Sequence, residues 1–199
     1  MKYFALILSC LLITLLQTSS LTPRASALAF PKPRPAGLQD YNHGGQIESK
    51  NDGFSHETVA TLRKMKVTCA SGKGNFKDSC VSMSASLHCP GIQLDYVRFA
   101  TLQLIFQTKD WDQRHPLDQR TLSVVADGET IRLGQMELVS QNVDTLMSEV
   151  LQATVPYNTF KRIALAEIVE MQVGKSKFEL REKNLAALRD LNNRVKLGR

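Results

Sequence analysis

Chemistry-bearing residues are scarce in this 199-residue chain, which has four histidines, four cysteines and one tryptophan. No H-E-x-x-H pair occurs, so the usual helix of a zinc protease is excluded, and no G-x-S-x-G elbow presents a serine at the end of a strand. Gly72-Lys73-Gly74 lacks the G-x-x-x-x-G-K-[ST] frame with which a phosphate loop cradles a nucleotide. No N-x-[ST] sequon is present. A serine triad stays open, because its members meet only in space.

Long apolar runs are equally scarce. The one example is FALILSCLLITLL near the start, interrupted only by Ser9, Cys10 and Thr14. It falls short of the ~20 residues that span a bilayer. Lys2 precedes it, and the small-x-small triplets Ala25-Ser26-Ala27 and Ala27-Leu28-Ala29 follow. Residues 1–29 therefore read as a cleavable export signal. Ile7-Leu8-Ser9-Cys10 has the outline of a lipobox, but Cys10 lies inside the apolar run rather than at its end, which argues against lipidation. The expectation is a secreted or periplasmic protein with no transmembrane segment in the mature chain. Cleavage would remove Lys2 and Arg24 and lower the formal charge from +6 to +4. An excess that small, spread along the chain, argues against a nucleic-acid partner.

Residues 30–56 read as a flexible Pro/Gly-rich tether. Pro31, Pro33 and Pro35 alternate with Lys32 and Arg34, and Asn42-His43-Gly44-Gly45 and Asn51-Asp52-Gly53 supply turns with little apolar content. A single domain is expected over 57–197. Its first strand falls near Leu62 to Val67, with imperfect alternation. Cys69, Cys80 and Cys89 follow, and an odd count in an exported chain means one bridge plus a free thiol or an intermolecular link. The glycine-bearing loop between Cys69 and Cys80 favours that pair, leaving Cys89 over.

Strand patterns dominate the rest. In YVRFATLQLIF, Ala100, Leu102, Leu104 and Phe106 share a wholly apolar face, whereas the opposite face is mixed, as in a sheet covered on one side. TLSVVADGETIRL is a hairpin with Asp127-Gly128 at the type I′ turn. Short strands are expected over 135–139 and 149–155, the latter stopped by Pro156. Phe160, Ile163 and Ala164 mark a helix over 157–165, and Gly174-Lys175-Ser176 turns the hairpin that follows. Leu185, Leu188, Leu191 and Val195 mark a closing amphipathic helix. Arg181 is a poor N-cap, so its first turn is expected to fray. Together these elements point to a mainly β fold: an antiparallel β-sandwich with a short inserted helix and a C-terminal amphipathic helix. An α+β roll is the rival.

On DGETIRLG, VPYNTFKRIALAEIVEMQVGKSKFEL and LAALRDL, with Phe76-Lys77-Asp78 upstream, the chain resembles a group of uncharacterised secreted bacterial proteins. The resemblance covers about half of the mature chain. It implies a small exported β-rich domain with a terminal helix and brings no activity or site residues with it. The cysteine-bearing segment departs from the pattern.

Candidate chemistry is thin. Cys69, Cys80, His88 and Cys89 form a metal-like cluster, but adjacent residues of a strand point to opposite faces, and a disulfide with a bystander histidine explains the spacing better. A Cys89 nucleophile paired with His56 or His115 would need a cation or helix N-terminus beside the thiol, whereas Cys89-Pro90-Gly91 reads as a strand end. Asp110, Asp112 and Asp118 around Trp111 lack the glycine and terminal glutamate of a calcium loop. The weak binding candidates are thus Asp110, Trp111, Asp112 and His115, with no cofactor and no metal expected. The function expected is an exported, non-catalytic binding or interaction module for a protein or surface ligand. The alternative is an extracellular hydrolase acting on a polymer, which a cleft joining Asp110, Asp112 or His115 to another acid or a serine would favour. A third reading makes the unpaired cysteine a reactive thiol.

Overall fold

The computed structural model describes residues 43–70, 79–109, 115–143 and 147–195. The stretch read as an export signal, 1–29, the proline-rich start of the stretch read as a tether, the segment between Cys69 and Cys80 that carries Gly72-Lys73-Gly74 and Phe76-Lys77-Asp78, and the trio Asp110, Trp111 and Asp112 lie outside the described residues.

The elements run β1 (Ile47–Asp52), β2 (Glu57–Ala70), β3 (Ser79–Pro90), β4 (Phe99–Thr108), a 3-10 turn (Leu117–Gln119), β5 (Thr121–Ala126), β6 (Glu129–Gln135), β7 (Glu137–Val143), β8 (Met147–Pro156), α1 (Tyr157–Leu165), β9 (Val169–Val173), β10 (Ser176–Glu179) and α2 (Glu182–Asn193). Two antiparallel sheets form a β-sandwich. One has the order β1-β2-β3-β4-β8-β7 and the other β10-β9-β5-β6. Strand alternation sorts the side chains between layers. Ala100, Leu102, Leu104 and Phe106 of β4 lie inside with Met83, Ala85 and Leu87 of β3 and Leu151, Ala153 and Val155 of β8. Leu122 and Val124 of β5 and Val169, Met171 and Val173 of β9 meet them from the second sheet. Each fully buried Leu, Val or Met of this set contributes on the order of 1.5–3 kcal/mol.

The outer face of the larger sheet is polar and laced across the strands. Ser84 Oγ donates to Gln103 Oε1 at 3.0 Å, Gln103 Nε2 donates to Gln152 Oε1 at 2.8 Å, and the Thr61 and Ser86 hydroxyls meet at 3.0 Å. The helices cover apolar surface that the second sheet leaves open. α1 touches β4, β8 and β5, while α2 packs on α1 and β2. Phe160, Ile163 and Ala164 of α1 and Leu185, Leu188 and Leu191 of α2 are all buried in this contact layer.

Several local expectations change. Within the stretch read as tether, residues 47–52 form β1, paired from Ile47↔Leu62 to Asp52↔Glu57. Asn51 and Asp52 serve this hairpin: Asn51 Nδ2 donates to Thr58 Oγ1 at 2.8 Å, and Asp52 Oδ2 accepts from Ser55 Oγ at 2.7 Å. The polar composition is that of an edge strand, whose side chains stay in water while its backbone pairs. β2 is also longer than expected. Its irregular alternation has a physical cause in two register shifts, between Leu62 and Met65 and between Lys66 and Thr68. Gln135 closes β6, and Met136, 1% exposed, carries the chain from one sheet to the other. The first turn of α2 is tied down: Asn184 Oδ1 accepts from the Arg181 N–H at 3.0 Å, half of a capping box, so the expected fraying is absent.

Candidate functional site

A cavity of about 620 Å³ opens where the bulged half of β2 faces the start of α2, lined by His43, Gly44, residues 64–69, Arg181, Lys183 and Asn184. Its walls follow from local sequence. The two bulges break the pleat of β2 and leave Lys64 and Lys66 exposed at the rim, either side of Met65. The Cys69–Cys80 disulfide clamps the far end of this wall to β3. Across the gap, Asn184 sits on the first turn of α2 and donates from Nδ2 to the Lys66 carbonyl at 3.0 Å, which sets the spacing of the two walls. Arg181 and Lys183 lie at the same helix end and are exposed.

His43 closes the third side. Its Nδ1 accepts the Gly45 N–H at 2.9 Å, so the proton resides on Nε2, which donates to Asp190 Oδ2 at 3.2 Å. Arg194 shares that carboxylate. A residue read as part of a tether is thus a buried anchor for the cavity wall.

Electrostatically the cavity has one sign. Among the described residues, four cationic side chains, Lys64, Lys66, Arg181 and Lys183, line it, and no carboxylate does. Among the described residues none of the four is in an ion pair; Lys64 Nζ reaches only the Gln107 Oε1 atom, at 3.5 Å. A concave surface lined by one sign focuses the field on an incoming ion of the other, and the positive end of the α2 dipole adds to it.

Of the residues singled out from sequence, His115 is described, and the structure brings it to two partners. Its Nδ1 lies 2.9 Å from Glu149 Oε2, and the same oxygen accepts the His115 backbone N–H at 3.0 Å. Its Nε2 lies 3.0 Å from Ser176 Oγ. Phe106 packs on the imidazole with ring centres 4.3 Å apart, Phe178 backs Phe106, and Arg120 Nε donates to the His115 carbonyl at 2.8 Å. His115 and Glu149 are buried and Ser176 is half-exposed.

The cysteines divide as the sequence suggested. Cys69 and Cys80 are opposite partners on β2 and β3 and form the disulfide. Cys89 is free and buried at the end of β3, and burial, then the nearby Asp95 and Glu57 carboxylates, push its thiol up to about 11. A buried thiol held protonated is a poor nucleophile. His56, the partner imagined for it, sits in the β1–β2 turn at a φ of 51°. His88 stacks on Phe99 and lies 3.4 Å from Glu57.

Sequence reasoning missed the four cations as a group, because β2 and α2 are more than a hundred residues apart in the chain. The clustered RKMK and R-E-K stretches were a partial signal. It also missed Glu149 and Ser176, although Glu149 shares the buried phase of Met147, Leu151 and Ala153 along β8, where an acid is out of place without a partner. Among the described residues, no helix is long and apolar enough to cross a membrane. No protein-family model matches the chain, nor does any of the curated proteins or solved structures with which it was compared.

Proposed function

We propose that this chain is an exported binding module that captures an anionic ligand, one bearing phosphate, sulfate or carboxylate groups, in the cavity between β2 and α2. The observation that carries the reading is the set of four cations, Lys64, Lys66, Arg181 and Lys183, which among the described residues have no ion pair and share their concavity with no carboxylate. Cations gathered in one place without counter-charges repel one another, and that arrangement becomes favourable when an anion enters. The volume suits a small ligand or one segment of a polymer. Export is supported by the N-terminal signal pattern and by the disulfide, which belongs to an oxidising compartment.

Isothermal titration calorimetry with pyrophosphate and with a sulfated oligosaccharide tests the reading and separates the two anion chemistries. Binding of at least one probe is expected, weakening as salt rises. The double variant Lys66→Glu/Lys183→Glu should lower affinity about tenfold or more, ~1.4 kcal/mol, without changing the melting temperature appreciably, because both side chains are exposed. Affinity unchanged by that charge reversal, or no binding of either probe, would overturn the reading.

A further inference from the structure

We infer that Ser176, His115 and Glu149 form a nucleophile–base–acid relay able to take an acyl group from a carboxylic ester, an activity separate from anion capture and independent of the cavity. Three features of the site converge on it. The first is bonding order. A carboxylate can only accept, so with the imidazole neutral its Nδ1 carries the proton given to Glu149 at 2.9 Å. Nε2 is then the bare nitrogen, and at 3.0 Å the Ser176 hydroxyl donates to it. That is the arrangement in which an imidazole draws the proton from a serine.

The second is the graded burial. Glu149 and His115 are buried, and Ser176 is half-exposed on β10, which lies at the edge of its sheet. The Phe106 ring packs on the imidazole and lies opposite Glu149 in the sheet, so the base and its orienting acid are shielded from water while the hydroxyl stays reachable. The third is rigidity. The three groups come from β8, the segment before β5 and the β9–β10 hairpin. Glu149 holds both the ring and the backbone N–H of His115, and Arg120 holds its carbonyl. A bridge that only joined the sheets would not need its hydroxyl member at an open edge.

The chemistry balances without any further reagent than water. Ser176 Oγ attacks the ester carbonyl carbon as its proton passes to His115 Nε2. The tetrahedral intermediate collapses, the bond to the leaving oxygen breaks, and the alcohol departs with the proton from Nε2. Water then attacks the acyl-serine, gives a proton to Nε2, and the acid leaves as Ser176 recovers that proton. Glu149 stays a carboxylate throughout and acts as the positioning residue.

The test is labelling of the full chain with a fluorophosphonate, which phosphonylates activated serines, with the modified peptide identified by mass spectrometry. The folded wild type should carry the adduct at Ser176, and heat-unfolded protein should not. His115→Gln should slow labelling about a hundredfold or more, the contribution of a general base. Because that variant removes a buried hydrogen-bonded group and can lose its fold, the wild-type comparison stands alone. Ser176 reacting no faster in the folded than in the unfolded protein, or equally fast in a folded His115→Gln variant, overturns the proposal and leaves the three residues as a bridge between sheets. Neither result bears on anion binding at the cavity.

Discussion

Glu149 sits in the inward phase of β8 between Met147 and Leu151 and opposite Phe106, and the fold tolerates it because His115 gives it two hydrogen bonds. Replacing it with Leu removes both acceptor and charge and leaves the His115 N–H groups unsatisfied in the interior, so a loss of about 1–3 kcal/mol is expected in urea denaturation. Cys89 offers a second test at this scale. Its thiol should resist a disulfide-exchange reagent in the native protein near neutral pH and react fully once the protein unfolds; fast native labelling would contradict its burial. Because folding raises its ionisation from the ordinary 9.0 to about 11, the native state holds this proton more tightly than the unfolded chain. The associated stability is complete below the unfolded value and is lost as pH rises through about 11. Cys89→Ala should therefore lose less stability between neutral and strongly alkaline pH than the wild type does. Burial, then the same thiol, also raise Tyr157, whose hydroxyl donates to Asn192.

At the scale of elements, the most legible pieces were those with a strong local signal. The Asp127-Gly128 turn has positive φ at both residues, 50° and 84°, as a type I′ hairpin requires. Asp127 does more than turn the chain: its Oδ1 accepts from the Glu167 and Ile168 N–H groups at 2.9 Å each, fixing the entry to β9. Asp127→Asn keeps the acceptor and the tolerance of positive φ and should be nearly silent, whereas Asp127→Ala should cost about 1–2 kcal/mol. The leucine spacing of α2 marked a buried face, and Leu188 is fully buried on it. Leu188→Asp places a charge in the layer joining α1, α2 and β2 and should abolish the cooperative thermal transition; a soluble, cooperatively melting variant would contradict that role. Less legible was whatever depended on pairing. The polarity of β1 hid a strand because an edge strand needs partners for its backbone, not apolar side chains. The pattern of β2 was blurred by bulges that only the register with β3 reveals. Arg181 looked like a poor cap because the stabilising acceptor is supplied by Asn184 from inside the helix.

Over the whole molecule, the sandwich and its two helices could be read from periodicity and turns, since strands such as β4, β5, β8 and β9 announce their buried face. The sites could not, because they are products of topology. Lys66 meets Lys183, and His115 meets Glu149 and Ser176, only when distant segments are brought together. The disulfide sits where the cavity wall meets β3 and joins cysteines 11 positions apart in the chain, so its reduction should lower stability by roughly 2–3 kcal/mol and loosen that wall first. The cationic cavity, as a place for an anion, is the feature on which function turns. The most direct measurement is a backbone amide NMR titration of the protein with pyrophosphate at low salt. Shifts should concentrate at residues 43–44, 64–69 and 181–184, saturate, and reverse when salt is added. Shifts scattered over other exposed lysines and arginines, such as Lys175 and Arg132, or none around the cavity, would contradict the account.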